Sequence, residues 1–144
     1  MTRPARAAVA LALGAALLAT PPLARAYSPE VNYALHCQGC HLADGRATPG
    51  LVPPLDGTLG RMMRLRAGRA YVVRLPNVAA THLDDADTAA LVTWVVRRFA
   101  GGELPEDFVP FTPQEVAAGR RAPLVDVEGA RRALLEQLDG QALE

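Results

Sequence analysis

The only two cysteines in this chain fall within one five-residue run, Cys37-Gln38-Gly39-Cys40-His41. Thiols this close in sequence cannot tie distant segments together, so the fold must be held by packing or by a group attached at the run itself. Cys-x-x-Cys-His is the attachment signature of c-type haem: both thiols add across the porphyrin vinyl groups, and the adjacent histidine is left on one face as an iron ligand. On a short helical turn the two-residue spacing matches the span between those vinyl groups, and the histidine that follows comes under the iron. A redox dithiol also reads Cys-x-x-Cys, but it needs a strand before it and a sheet around it, and no strand-rich pattern flanks residue 37. A zinc site needs a fourth ligand at suitable spacing, and only His36 and His82 remain to supply one. One copy of the run predicts one covalently bound haem c, with its iron, per chain.

The N-terminus bears on compartment. Arg3 and Arg6 precede an apolar stretch from Ala7 to Ala19, and Ala24-Arg25-Ala26 follows. Basic, apolar and small-x-small segments in that order predict a secretory signal peptide over residues 1–26, cut after Ala26. The apolar run is shorter than the roughly 20 residues a bilayer span needs, and Pro21 and Pro22 follow it, so no membrane span is expected after cleavage. Cleavage leaves 118 of the 144 residues, enough for one small domain with a modest core to which a buried porphyrin would add. It also removes Arg3, Arg6 and Arg25, leaving 12 arginines against 15 carboxylates. Such a mildly acidic chain lacks the basic face that nucleic-acid binding requires. There is no lysine, so any cationic docking surface is built from guanidinium groups.

The mature sequence reads as all-α, with helices joined by proline and glycine loops. Ser28-Pro29 is an N-cap and N1 pair, and Val31, Ala34 and Leu35 recur at helical spacing into the cysteine run. Gly45, Pro49, Gly50, Pro53, Pro54, Gly57 and Gly60 predict a loop over 42–60 that can wrap the His41 side of a porphyrin. Residues 59–75 are helix-compatible, with a break expected at Gly68 and a stop at Pro76. Residues 84–99 give the strongest helix: Asp84, Asp85 and Asp87 suit its start, Arg97 and Arg98 its end, and Leu91, Trp94, Val95 and Phe99 its apolar side. This helix is expected to pack on the first. Beyond Gly101-Gly102, an extended stretch to Pro110 precedes a capping box at Thr112-Pro113-Gln114-Glu115. A last helix is expected from Asp126 to about Asp139, stopped by Gly140, with Ala130, Leu134 and Leu138 on one side.

These residues resemble the small class I cytochromes c. The resemblance covers residues 28–100 and rests on the first helix ending in Cys37-Gln38-Gly39-Cys40-His41, on Pro53-Pro54-Leu55 followed by Gly57, and on Leu83 to Leu91 leading into Trp94. It implies a cytochrome c-like helical domain over 27–100 wrapped around one haem; residues 101–144 run beyond a minimal member and are expected to pack on it as a C-terminal extension, a strap over apolar surface, a docking element or a cover for the distal face. It implies a periplasmic or secreted location, where c-type haem is attached, and electron transfer rather than independent catalysis. By that resemblance His41 is the proximal ligand, and the carbonyl of Pro53 or Pro54 is a candidate acceptor for its ring N–H.

The sixth ligand departs from the family pattern. A methionine is usual in the loop before the final helix, often followed by proline; here the dipeptide is Leu75-Pro76, and leucine cannot ligate iron. His82 lies in that loop and would give a bis-histidine iron of lower potential. Met62 and Met63 lie earlier and are the only thioethers left after cleavage, although methionine at helical positions is more often core filler. His36 precedes Cys37 on the attachment side, where it cannot readily reach the opposite face. Tyr71 and Trp94 are candidate propionate partners, or simply core residues. Arg61, Arg64, Arg66, Arg69 and Arg74 form a basic stretch that could pair with propionates, dock an acidic redox partner or remain a solvated face. The expected partners are a periplasmic dehydrogenase and an electron acceptor. A small-ligand sensor with an open iron site and a haem subunit of a larger periplasmic oxidoreductase are the alternatives.

Overall fold

The computed structural model describes residues 27–141, so the expected signal peptide over 1–26 lies outside the described residues. These residues form an all-α domain of eight α-helices, with no strand among the described residues. The first helix, α1 (Pro29–His36), starts where the sequence predicts: the Ser28 hydroxyl accepts from the Val31 N–H at 3.3 Å, and Pro29 sits in the first turn. Helical geometry fails at Cys37 (φ −125°, ψ −35°) and resumes in α2 (Gln38–His41). The cysteine run therefore occupies a turn of its own beyond the first helix.

The loop that follows folds back on this turn, with the Thr48 N–H donating to the Cys40 carbonyl at 3.0 Å and the Leu55 N–H to the Gly45 carbonyl at 2.9 Å. Gly45 is buried at φ 77°, and a Cβ there would stand 2.5 Å from the Phe99 ring, so only glycine lets the loop approach this closely.

Three short helices come next: α3 (Thr58–Met62), α4 (Arg66–Arg74) and α5 (Pro76–Ala79). The break expected at Gly68 falls instead at residues 63–65, and Gly68 lies inside α4. Its role is contact, because a Cβ at 68 would run into the Met62 carbonyl oxygen. Pro76 ends α4 as expected and opens α5.

The central element is α6 (Asp85–Phe99). The Asp84 carboxylate accepts from the Asp87 N–H at 2.7 Å, and Arg97 and Arg98 occupy the last turn, so both ends suit the helix dipole. Leu91 and Phe99 are buried and Trp94 and Val95 half-buried, but Ala89, Val92 and Val96 are buried as well. One side of α6 meets α1 and the other meets α7 (Pro113–Arg121).

After a 3-10 turn at Gly101–Glu103, an irregular strap leads to α7, whose capping box has both arms. The Glu115 N–H donates to the Thr112 hydroxyl at 3.2 Å, and the Thr112 N–H to the Glu115 carboxylate at 2.8 Å. The last helix, α8 (Val127–Gln141), buries Leu134 and Leu138 as its spacing predicts. It runs through Gly140 instead of stopping there, since one exposed glycine costs a helix only about 1 kcal/mol.

Buried side chains fall into two clusters. The larger joins Leu59, Met62, Val72, Val92 and Val96 to Phe111, Val116, Leu134 and Leu138 of the extension. The extension thus shares a core with the rest of the domain, and each of its buried anchors is worth about 1.5–3 kcal/mol in transfer free energy. The smaller cluster consists of Tyr33, Leu91 and Phe99, with Cys37, Leu55, Leu83, Trp94 and Val95 packed against it.

Candidate functional site

The smaller cluster holds the cysteine run in place. The rings of Tyr33 and Phe99 stand 5.1 Å apart and those of Tyr33 and Trp94 5.4 Å apart, so the α1–α6 crossing is aromatic. Tyr33 precedes Cys37 by four residues, one helical turn, and Cys37 continues the same face onto the cluster. The Tyr33 hydroxyl donates to the Leu42 carbonyl at 2.5 Å, and burial pushes its pKa up to about 12, so it remains a donor. Leu42, at φ 56° and ψ 174°, is held where leucine is strained. One phenol therefore fixes the backbone on the far side of the run it helps to seat.

Cys37 and Cys40 are both free thiols and half-buried. The Cys40 N–H donates to the Cys37 carbonyl at 3.2 Å and the His41 N–H to the same oxygen at 3.0 Å, which places thiols and imidazole on one turn. Burial, with the neighbouring Cys40 adding to it, pushes the Cys37 thiol up to about 11. A redox dithiol needs the opposite shift, toward thiolate. Burial lowers the His41 pKa, which favours the neutral imidazole, the form that ligates metals. Its Nδ1 is buried without a hydrogen-bond partner. The expected bond from that ring to a Pro53 or Pro54 carbonyl is not formed, and both prolines are exposed. The loop closes through the Leu55 N–H on Gly45, just beyond the prolines, and that contact directs its course.

The other candidates separate between the clusters. Trp94 packs against the cluster that seats Cys37. Tyr71 belongs to the larger cluster, where it lines a groove of about 230 Å³ with Leu134 and Ala130 of α8. Met62 and Met63 are 3% and 7% exposed in that same core, and Leu75 packs against it. His82 is exposed, in a turn between α5 and α6, and its neighbour Leu83 packs against the Cys37 cluster. His36 is exposed at the end of α1. A larger cavity, about 560 Å³, is lined by Met63, Arg64, Arg69, Phe108 and Glu115 and shares no residue with the cysteine run.

The basic stretch over 61–74 has a use the sequence did not suggest. Arg61 pairs with Asp139 at 2.8 Å, Arg64 with Glu103 at 3.5 Å and Arg69 with Glu115 at 2.8 Å, while Arg74 donates to the Ala122 carbonyl at 2.6 Å. Four of the five arginines are thus engaged with the extension. Arg69 goes furthest: it grips Glu115 with two nitrogens, donates to the Val109 and Pro110 carbonyls, and lies 4.1 Å from the Phe111 ring centroid.

Sequence reasoning passed over Arg120. Its guanidinium donates to the Leu83 carbonyl at 2.6 Å, the Thr81 carbonyl at 3.2 Å and the Thr88 hydroxyl at 3.0 Å. The Asp85 carboxylate lies 2.9 Å from Nε but off the N–H direction, so that contact is ionic. Acceptors 32 to 39 residues away leave no local signal. Tyr33, by contrast, was legible in principle as the apolar residue one turn before Cys37. Compared with known proteins, the chain matches no family model and no curated sequence.

Proposed function

We propose that this chain is an exported single-electron carrier whose Cys37 and Cys40 would hold one haem c covalently and whose His41 would ligate its iron, in the manner of the class I cytochromes c. The observation that carries this reading is the donor set on the Cys37–His41 turn: two free, half-buried thiols followed by an imidazole whose buried Nδ1 has no hydrogen-bond partner among the described residues. That set fits a covalently held haem, and burial holds the Cys37 thiol above its ordinary range rather than toward the acidic thiol of a redox dithiol. A haem bound there supplies a one-electron iron couple. The chain's own part is to seat and orient. Tyr33, Leu91, Trp94 and Phe99 hold α1 against α6 behind Cys37, and the Tyr33 hydroxyl fixes the backbone that leaves His41. No helix among the described residues is long and apolar enough to cross a membrane.

Export of the full chain in a host that matures c-type cytochromes tests this. The purified protein is expected to carry one haem that survives denaturation, lost in Cys37→Ala and Cys40→Ala, and to cycle reversibly between two oxidation states. Exported protein with two titratable thiols and no covalent haem overturns the proposal.

A second reading, a small-ligand sensor with an open iron position, is favoured by one observation. Among the described residues no methionine packs against the Cys37 cluster: Met62 and Met63 are buried in the other core, and Leu75 stands where a thioether is usual. Rapid carbon monoxide binding to the ferrous protein at neutral pH is its expected signature, and slow or absent binding supports the carrier.

A further inference from the structure

Residues 80–84 form the one short segment between α5 and α6, and little within the segment itself fixes its course. The Ala80 and Thr81 N–H groups bond back to α5, and the Asp84 carbonyl accepts from Thr88 in α6. The carbonyls of Thr81 and Leu83, on either side of His82, are both taken by Arg120 of α7. The same guanidinium donates to Thr88 and faces the Asp85 carboxylate at the first turn of α6, so one planar fork ties the segment to the helix it enters. Its side chain is only 28% exposed, which makes these bonds stronger than the same contacts in open water. Leu83 packs against the Tyr33–Leu91–Phe99 cluster, and Cys37 packs against it too. The segment therefore lies beside the cluster that seats the cysteine run, and it carries the exposed His82.

We infer that Arg120 is a positioning residue for His82, holding the two flanking peptides so that this imidazole would serve as a second protein ligand to the iron of a haem held by Cys37 and Cys40. The inference rests on the haem reading above. Met62 and Met63 are both enclosed in the larger core, and neither packs in the cluster Cys37 joins. On this account the extension belongs to the iron site: α7 reaches across to the loop, and coordination depends on a residue that a domain ending near residue 100 would lack.

The test uses the full-length holoprotein, with covalent haem content measured first. Spectra of the native ferric and ferrous forms are expected to show a six-coordinate low-spin iron with two nitrogen ligands. His82→Ala opens one position, so that carbon monoxide associates at least tenfold faster than with native protein. Arg120→Ala moves the spectrum and the association rate in the same direction and raises the reduction potential, with covalent haem retained. Arg120→Lys keeps the charge facing Asp85 without the fork and is expected to recover only part of the native behaviour. That variant also decides the matter if Arg120→Ala does not fold. Covalent haem with an unchanged ligand field in His82→Ala, or native-like rates and potential in Arg120→Lys and Arg120→Ala, overturns the inference while leaving the haem reading intact. Absence of covalent haem from native protein overturns the haem reading itself.

Discussion

At the scale of single residues, the backbone beside the cysteine run is under local strain. Leu42 is the one described non-glycine residue at positive φ, and at φ 56°, ψ 174° it costs about 1–3 kcal/mol. The Tyr33 hydroxyl on its carbonyl helps to hold it there. Leu42→Gly is therefore expected to gain about 1 kcal/mol in urea unfolding, and Leu42→Val, whose branched Cβ tolerates positive φ less well, to lose about 1–2 kcal/mol. Equal stability of the two variants would remove the strain argument. Gly45 shows the same closeness from the other side of the loop, where its bare Cα is what allows the Phe99 ring to approach.

Among elements, the junction between α4 and α7 is held by a charge-assisted clamp that pH can release. Burial alone would raise the Glu115 pKa, but the Arg69 hydrogen bonds, the Thr112 N–H and the Arg69 charge outweigh it and hold the carboxyl below its ordinary range. A group with a lowered folded pKa contributes stability that is present above its unfolded value and lost as pH falls through the folded value. Thermal melts of native protein should therefore decline as pH falls below about 4.3, the ordinary glutamate value, and Glu115→Gln should flatten that acid limb. At neutral pH the substitution leaves the Arg69 guanidinium poorly paired beside Phe111 and is expected to cost about 2 kcal/mol. An acid limb of unchanged steepness in Glu115→Gln would show that other carboxylates control it.

For the whole molecule, the consequence is that residues 101–141 cannot be detached without opening the core. Phe111, Val116, Leu134 and Leu138 lie in one cluster with Val72, Val92 and Val96, and the Phe111 N–H donates to the Thr93 hydroxyl at 2.9 Å in the buried α6 interface. A chain ending at residue 102 is expected to lose cooperative unfolding and to bind hydrophobic dyes, read by near-ultraviolet dichroism and dye fluorescence; a sharp native-like transition would refute the shared core. What could be read from sequence was local. Ser28, Asp84 and the Thr112–Glu115 box announce helix starts because each cap bonds an N–H three residues ahead, and the Cys37–His41 run places two thiols and an imidazole within five residues. Gly68 was misread because a glycine that permits helix contact looks the same in sequence as one that breaks a helix. The same limit applies to the arginines: Arg69 meets Glu115 46 residues away and Arg120 meets Leu83 37 residues away, so composition could offer only a solvated face, a propionate or a partner. The sequence by itself determined the helices, their caps and the donor set on one turn, since these depend on neighbours along the chain. Only the tertiary structure decided that Met62 and Met63 are enclosed in the larger core, that the basic stretch anchors the extension, and that a guanidinium from α7 brackets His82, because those contacts exist only once distant segments have packed.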